Sequence, residues 1–251
     1  MNQRLDSRVA VVTGASKGLG RQMAESLAEA GATVALVARN AELLEGVRAG
    51  IIARGGKAYA FAADVSVEVE VTRVAAEVRK YAGAADILIN NAGINIRKPL
   101  IEYTLEEWHR VMSVNLDGPF FCTRAFVPGM MENKFGRIIN MASTMAHVSL
   151  PHRAAYSGSK FGVLGMTKAL ALELAPYNIT ANAISPGPFA TEMNLVLLRD
   201  PAKVAEFNAK IPLGRWGKLE EIGALAVFLS SEAASFITGT DIIIDGGWTA
   251  Q

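Results

Sequence analysis

The sequence predicts a doubly wound α/β fold in which seven parallel strands form one sheet with helices on both faces. Three observations lead to this prediction. Short β-rich runs alternate with longer segments of helical period, which is the pattern of βαβ units. The β-rich runs are almost continuously apolar, as expected when helices cover both faces of a parallel sheet. No linker divides the 251 residues, so a single domain over residues 1–251 is expected.

The elements follow from these runs in chain order. Strands are predicted over residues 8–13, 33–38, 57–62, 86–90, 137–142, 179–184 and 241–245. Helices are predicted near residues 18–30, 40–54, 66–81, 104–132, 151–175 and 218–230. Because crossovers between parallel strands are right-handed, the helices are expected to alternate between the two faces.

The segment 185–217 interrupts this rhythm. It contains SPGPFATEM and then an irregular stretch with only weak helical periodicity. Such a long excursion in a compact domain is usually functional, so a lid or substrate loop is expected there. The alternative is a partly ordered surface insertion, which would leave its apolar residues without cover.

Composition argues against several kinds of partner. The formal net charge is +1 without a run of lysines or arginines, so nothing indicates binding to nucleic acid or to an acidic membrane surface. No apolar run approaches the roughly 20 residues that span a bilayer, and the charged first residues leave no room for a signal peptide. We therefore expect a cytoplasmic protein whose partners are small molecules and copies of itself. The single cysteine, Cys122, is expected to be a buried bystander.

A glycine-rich turn follows the first strand and opens the first helix, with the sequence TGASKGLG at residues 13–20. Glycines let the backbone approach a pyrophosphate, whose charge lies against unpaired N–H groups and the positive end of the helix dipole. The spacing is GxxxGxG, and such a turn alone would also fit a tight strand-to-helix connection. Its place between a strand and a helix favours the phosphate site and hence a Rossmann-type dinucleotide-binding domain.

The end of the second strand bears on the choice of cofactor. An acidic residue there would bind the ribose 2′-hydroxyl of NAD, but the chain reads Val37-Ala38-Arg39-Asn40. Arg39 offers a planar fork suited to a 2′-phosphate, and Lys17 in the glycine-rich turn would add a second positive charge. We therefore predict NADP(H) in preference to NAD(H). The alternative is that both side chains are solvated surface cations.

Tyr156 and Lys160 are spaced Y-x-x-x-K on the helix after the fifth strand, so their side chains share one helical face. An ammonium beside the phenol would stabilise the phenolate. Lowering a tyrosine pKa from about 10 to near 7 takes roughly 4 kcal/mol. Ser143 follows the same strand, where its hydroxyl would reach the crevice and polarise a substrate oxygen. Taken alone, the pair is frequent by chance and usually means two residues of an amphipathic helix.

Together these residues resemble the short-chain dehydrogenase/reductase family, and the likeness covers nearly the whole chain. The motifs that carry it are TGASKGLG at 13–20, Asp64-Val65, Asn90-Asn91-Ala92-Gly93, Asn115, Ser143, Y-x-x-x-K at 156–160 and Pro186-Gly187. The resemblance implies an NAD(P)-dependent oxidoreductase that interconverts a ketone and a secondary alcohol. A non-catalytic NADP-binding regulatory protein is disfavoured, because the Asn-Ser-Tyr-Lys tetrad is intact.

The resemblance also implies roles for individual residues. Tyr156 would donate the proton on reduction, Ser143 would orient the carbonyl, and Asn115 would join a water-linked relay to Lys160. Asp64 and Val65 would meet the adenine, and the segment 186–191 would hold the nicotinamide carboxamide. Cofactor contacts are expected for Gly14, Ser16, Lys17, Gly18, Leu19, Gly20, Arg39, Asp64, Val65, Asn91, Ala92, Gly93, Tyr156, Lys160, Pro186, Gly187, Phe189 and Thr191.

Four longer stretches are similar to the gluconate 5-dehydrogenase and deoxygluconate dehydrogenase branch of that family, at residues 91–99, 189–194, 211–217 and 245–248. A keto-sugar acid or another polar hydroxy-ketone is therefore expected as substrate, and Arg97 and Arg153 are candidates to bind its carboxylate. The alternative substrate is a 3-oxoacyl thioester. The alternative for Arg97 is a surface ion pair with Glu102, and the alternative for Arg153 is a side chain that points to solvent.

Two further predictions concern assembly and metals. The helix 151–175 carries small residues that permit close helix approach, namely Ala154, Ala155, Gly158, Gly162 and Gly165. Together with the resemblance they predict a homotetramer, unless they pack within their own chain. The histidines lack the spacing of a metal site, so no metal is expected. His147 and His152 either line the pocket or are ordinary loop residues.

Overall fold

One parallel sheet forms the centre of the molecule. The computed structural model describes residues 3–191 and 201–250. In this part of the chain the strands are β1 (Val9–Thr13), β2 (Thr33–Ala38), β3 (Lys57–Ala62), β4 (Ile87–Asn90), β5 (Gly136–Met141), β6 (Ile179–Pro186) and β7 (Asp241–Ile244). Their order is β3-β2-β1-β4-β5-β6-β7, and every neighbouring pair is parallel. The predicted seven-stranded sheet is confirmed.

Helices cover both faces of this sheet. In the described residues they are α1 (Gly18–Glu29), α2 (Ala41–Ala53), α3 (Glu68–Tyr81), α4 (Leu105–Met112), α5 (Gly118–Asn133), α6 (Ala154–Leu174), α7 (Pro201–Ala209) and α8 (Leu219–Ser230). None of the described helices is both long enough and apolar enough to cross a bilayer. Cys122 of α5 is buried, as expected, and burial raises the pKa of its thiol to about 12.

The helices do not alternate between the faces, so that expectation is wrong. The helices α1, α2 and α8 bury residues such as Leu27 and Ile222 in one core cluster. The helices α3, α5 and α6 bury residues such as Val74 and Phe126 in the cluster on the other face. From β1 to β3 strands are added in one direction, and from β4 to β6 in the opposite direction. Because the face of a right-handed crossover depends on its direction, helices of the same half share a face.

The crossover from β6 to β7 departs from the right-handed rule on which the prediction relied. It continues in the direction of β4 to β6, but its helix α8 lies on the face of α1 and α2. Its hand is therefore opposite to that of the other crossovers. Gly223 of α8 lies against α1, where a Cβ at this position would overlap the Ser26 hydroxyl. Gly223 therefore permits the close approach of α8 to α1 on this face.

The helix predicted over residues 104–132 is divided in two. Thr104 begins α4 with a capping box, in which its hydroxyl accepts from Glu107 N and the Glu107 carboxylate accepts from Thr104 N. A π-helical turn, Ser113–Asp117, then separates α4 from α5. Such turns occur frequently at functional sites, and this one carries Asn115.

The excursion 185–217 is partly packed against the domain. Its described parts bury Phe189, Ile211 and Trp216, and Phe189 forms a parallel bridge with Gly217. The helix α7 lies within it, although the weak periodicity of this stretch did not predict a helix. Residues 192–200, which include part of the segment 189–194, lie outside the described residues. A role as a lid or substrate loop stays a prediction.

Candidate active site

A cleft of about 510 Å³ opens at the carboxyl ends of the strands, around the point where the strand order reverses between β1 and β4. Every residue expected to contact the cofactor lines it, and Ser143 lines it as well. Asn115, Arg97 and Arg153 are not part of this lining. Among the described residues, no group of three or more His, Cys, Asp and Glu side chains is placed to hold a metal ion.

The Asn91 side chain holds the glycine-rich turn in place through hydrogen bonds to its main chain. The Asn91 amide donates to the main-chain oxygens of Thr13 (2.9 Å) and Gly14 (3.3 Å). The Thr13 hydroxyl in turn accepts from Asn91 N (2.9 Å) and Ala92 N (3.0 Å). This packing leaves no space for side chains, since a Cβ at Gly20 would overlap both Gly14 O and the Asn91 amide. Asn91 therefore ties the end of β4 to the turn after β1.

The start of α1 has the features of a phosphate site. Gly14 and Gly18 adopt positive φ angles of 65° and 56°, which turn the chain sharply before the helix begins. Lys17 occupies the N-cap without a capping hydrogen bond from its side chain, and no acidic residue lies in the first helical turn. The free N–H groups and the positive end of the helix dipole therefore face the cleft without a competing negative charge. These features fit a bound diphosphate.

The side of the cleft at the ends of β2 and β3 carries Arg39 and Asp64. Arg39 is 62% exposed, and its Nη1 lies 3.7 Å from Asp64 Oδ2. Asp64 Oδ1 accepts from the main-chain N (3.0 Å) and hydroxyl (2.7 Å) of Ser66. Burial alone would raise the pKa of Asp64, but the Ser66 hydrogen bonds and the charges of Arg39 and Arg110 hold that pKa below its ordinary value. The guanidinium is thus loosely paired and open to solvent.

Ser143, Tyr156 and Lys160 meet at the bottom of the cleft. Lys160 is buried, its Nζ donates to Met141 O (2.6 Å), and the same Nζ lies 5.8 Å from the centroid of the Tyr156 ring. Burial lowers the pKa of Lys160 to about 8, so its ammonium is largely charged at neutral pH. The Ser143 hydroxyl accepts from Met145 N (3.1 Å) at the start of a short 3₁₀ turn, Thr144–Ala146.

Tyr156 is protonated at neutral pH in this environment. Burial raises the pKa of its phenol, and this effect outweighs a hydrogen bond with Ser143 and the positive charges of Arg153 and Arg97. A pKa near 7 would require the stabilisation of the phenolate by a nearby cation to exceed the effect of burial, and in the polypeptide by itself burial has the largest effect on this pKa. A protonated phenol that lines the same cleft as a serine hydroxyl is suited to donate a proton.

Asn115 lies behind the cleft and is fully buried. Its Oδ1 accepts from Ile94 N (2.8 Å), and its Nδ2 donates to Ile94 O (2.9 Å) and to the Ser159 hydroxyl (3.0 Å). A Cβ at Gly93 would lie 3.4 Å from Asn115 Oδ1 and 3.7 Å from Lys160 Nζ. The π-helical turn thus connects the loop after β4 to α6, next to the lysine.

Two arginines flank Tyr156 outside the cleft. Arg97 is exposed and Arg153 is half-buried at the N-cap of α6. Burial and the nearby charge of Arg97 lower the pKa of Arg153, against the opposing influence of Tyr156 and Tyr103. Neither guanidinium forms an ion pair or hydrogen bond with any residue of the described ranges, so the alternative pairing of Arg97 with Glu102 is not present there.

Several residues that line the cleft were not predicted from the sequence. They flank predicted positions along the chain and are Ala38, Asn40, Leu43, Ala63, Ile94, Val114, Met141 and Ala142. Asn40 illustrates why these residues were not predicted. Its side chain caps α2 by accepting from Leu43 N at 2.8 Å, and this local role gives no indication that Asn40 also lines the cleft. Neither His147 nor His152 lines the cleft.

Comparisons with known proteins agree with this geometry. A family model described as enoyl-(acyl carrier protein) reductase matches residues 14–249. Gluconate 5-dehydrogenase from Gluconobacter oxydans is 39% identical over 96% of this chain and 94% of its own. The 3-oxoacyl-[acyl-carrier-protein] reductase from Synechocystis is 40% identical over 97% of each chain.

A solved structure gives the same result. This chain is similar to the crystal structure of a gluconate 5-dehydrogenase from Burkholderia cenocepacia in complex with NADP and tartrate. The sequences are 37% identical, the TM-score is 0.95, and the alignment covers 100% of this chain and 98% of the other. Likeness of this extent in both sequence and structure shows common membership of one family. The chain belongs to the short-chain dehydrogenase/reductase family and is an NAD(P)-dependent oxidoreductase.

Proposed function

We propose that this protein interconverts a ketone and a secondary alcohol with NADP(H), and that its substrate is a polar hydroxy-ketone with a carboxylate, such as a keto-sugar acid. The observation that carries the substrate class is the pair Arg97 and Arg153. Two guanidiniums lie close enough to repel each other and to act on Tyr156, and no acidic side chain in the described residues neutralises them. A substrate carboxylate would remove this repulsion while its keto group faces the tyrosine.

Tyr156 is the general acid of the proposed reduction. A bound nicotinamide cofactor supplies the hydride in reduction and accepts it in oxidation. The Ser143 hydroxyl and the Tyr156 phenol both hydrogen-bond the carbonyl oxygen, and the Tyr156 proton passes to that oxygen as the alcohol forms. The Lys160 ammonium stabilises the phenolate that remains, and Asn115 supports the lysine through the relay implied by the resemblance. Oxidation runs the same steps backwards.

The cofactor is held along the cleft. The N–H groups at the start of α1 bind the diphosphate, Asp64 and Val65 meet the adenine, and the segment 186–191 holds the carboxamide. Lys17 and Arg39 bind the 2′-phosphate, which is the basis for preferring NADP(H). The exposure of Arg39 and its long 3.7 Å contact with Asp64 support this assignment, because such a guanidinium is available to a stronger anionic partner. The crystal structure of the Burkholderia cenocepacia relative is of its complex with NADP, which also supports this assignment.

Reduction of 3-oxoacyl thioesters is the second candidate. The observation that favours it is the 40% identity to the reductase from Synechocystis, which is as high as the identity to the gluconate 5-dehydrogenase. An acyl thioester has no carboxylate at the reacting end, so it would leave Arg97 and Arg153 without a partner. We therefore place this activity second.

A homotetramer and a closing loop complete the proposal. Phe161 and Leu172 of α6 are exposed apolar side chains, and open space lies above Gly165. These features support contact with a second copy, whereas Gly162 packs against Leu116 of its own chain.

The segment 185–217 would act as the substrate loop. The cytoplasmic location remains a prediction from the sequence.

A substrate panel tests the proposal. The purified protein is assayed by absorbance at the NADPH maximum with keto-sugar acids, their uncharged analogues, diketones and an acetoacetyl thioester, and each assay is repeated with NADH. We expect the highest kcat/KM for a keto acid with NADPH. A clear preference for the thioester would transfer the assignment to the second candidate, and turnover with none of these would refute both.

A further inference from the structure

His147 connects the turn that bears Ser143 to the last strand of the sheet. His147 Nε2 lies 2.5 Å from Asp241 Oδ2, at the start of β7. The hydroxyl of Ser185 on β6 donates to the same carboxylate oxygen at 2.8 Å and lies 3.4 Å from His147 Nε2. Ser185 is fully buried, whereas the side chains of Asp241 and His147 are 14% and 30% exposed. Three strand-end segments are therefore joined at one carboxylate.

The turn between Ser143 and His147 is short and internally bonded. The Ser143 hydroxyl accepts from Met145 N, Ser143 O accepts from Ala146 N (2.8 Å), and Thr144 O accepts from His147 N (3.0 Å). Because these bonds make the turn a rigid unit, a displacement at His147 is transmitted to Ser143. A weaker second attachment is the hydrogen bond from the Thr144 hydroxyl to Pro186 O, at 3.4 Å.

The chemistry of the Asp241 carboxylate favours a strong attachment. One of its oxygens, Oδ1, is buried without a hydrogen-bond partner in the described structure, so the charge is compensated at Oδ2 alone. The hydrogen-bonding partners of the imidazole are Asp241 on β7 and Ser185 on β6. Loss of the imidazole would leave a largely buried carboxylate with only a serine hydroxyl, which is an expensive arrangement.

We propose that His147 is a positioning residue, which fixes the Ser143 hydroxyl against Tyr156 by fastening the Ser143 turn to Asp241. This inference rests on the proposed function, because Ser143 and Tyr156 act on the substrate in that scheme. His147 itself does not line the cleft. The hydrogen bond from Ser143 lowers the pKa of Tyr156, against the larger effect of burial. A looser turn therefore raises the pKa of Tyr156 and misaligns the hydroxyl that orients the carbonyl.

The test is a double-mutant cycle with His147→Ala and Ser143→Ala. In the otherwise unmodified protein, His147→Ala is expected to lower kcat by about tenfold and to change KM and NADPH affinity by less than about threefold. In the Ser143→Ala background, the same change is expected to alter kcat by less than about twofold, because the hydroxyl that it positions is gone. Equal losses in the two backgrounds would overturn the proposal.

Two further variants control for folding. His147→Gln keeps an N–H donor of similar reach and is expected to restore most of the lost kcat. His152→Asn, five residues along the same loop, removes an exposed histidine whose φ of 66° asparagine tolerates, and it should behave as the unmodified protein. If His147→Ala does not fold, Asp241→Ala takes its place, because it removes the carboxylate that accepts from the imidazole, and it should reproduce the loss of kcat. A loss that His147→Gln does not restore would count against the proposal.

A spectroscopic titration separates this inference from the proposed function. The phenolate absorbance of Tyr156 is obtained as the difference between each protein and its Tyr156→Phe counterpart, without any substrate. The pKa of Tyr156 should rise with His147→Ala, and it should stay unchanged when His147→Ala is added to Ser143→Ala. An unchanged pKa in the first comparison would overturn the positioning role even in an active enzyme. A raised pKa in a protein without turnover would support the positioning role and refute the proposed function.

Discussion

Removal of the two arginines beside Tyr156 should separate acidic from neutral substrates. Arg97 and Arg153 both act on Tyr156 through their charge, and neither has an anionic partner in the described residues. If they bind a carboxylate, Arg97→Ala and Arg153→Ala each remove a charge-assisted hydrogen bond from the substrate complex. An uncharged analogue of the same substrate loses nothing comparable.

The size of each effect follows from exposure. A hydrogen bond to a charged group contributes about 1.5–3 kcal/mol. Because Arg97 is exposed, screening should reduce its contribution to about 1 kcal/mol, or about fivefold in kcat/KM. Arg153 is half-buried, so about 2 kcal/mol, or roughly thirtyfold, is expected for its loss. The double variant should lose less than the product of the two, because both arginines hold one carboxylate.

The assay compares kcat/KM for a keto-sugar acid and its uncharged analogue in each variant. Lys98→Met is the matched control, because it also removes one positive charge, at the residue next to Arg97. The Lys98 ammonium is already paired with the Glu107 carboxylate at 2.7 Å, so it is not available to a substrate. We expect this control to change both substrates equally. Equal losses on acid and neutral analogue in Arg97→Ala and Arg153→Ala would refute carboxylate binding by these residues.

Three more outcomes are expected. Arg39→Asp should shift preference toward NAD. Because Arg39 is exposed, loss of its contact with a 2′-phosphate should cost about 1 kcal/mol, or about fivefold in NADP affinity. Equal use of both cofactors by the unmodified protein would contradict this assignment. Asn91→Ala should lower Tm and weaken NADPH binding measured by fluorescence, because Thr13 O and Gly14 O lose a buried donor at a cost of about 1–3 kcal/mol; unchanged NADPH affinity would show that the turn needs no such support. Light scattering should report a tetramer at micromolar concentration and a smaller species for Leu172→Glu, and a monomeric unmodified protein would exclude the proposed assembly.

The strands and the cleft could be predicted because their signals are local. Apolar runs such as RVAVVT identify buried strands, and parallel strands bring their carboxyl ends to one edge. Ser143, Tyr156 and the glycine-rich turn each follow a strand in the sequence, so their meeting at one cleft required no knowledge of packing.

The remaining features depend on contacts between distant segments. His147 and Asp241 are 94 residues apart, and nothing in either local sequence indicates their pairing. The face chosen by α8 depends on its close approach to α1 at Gly223, which no periodicity records. The π-helical turn at Asn115 lies inside a continuous helical pattern, and the pKa of Tyr156 depends on burial that spacing alone does not reveal.

The most direct test of proton transfer by Tyr156 is to measure turnover and NADPH binding together in Tyr156→Phe. Removal of the transferable proton should lower kcat by about 10²–10⁴-fold, because that is the contribution of a general acid. NADPH affinity should change by less than about threefold, because the ring stays in place. Tyr103→Phe is the control, since this nearby phenol donates to Ile96 O and should leave kcat almost unchanged. If Tyr156→Phe keeps its activity within about tenfold of the unmodified protein, Tyr156 is not the acid and the account is wrong.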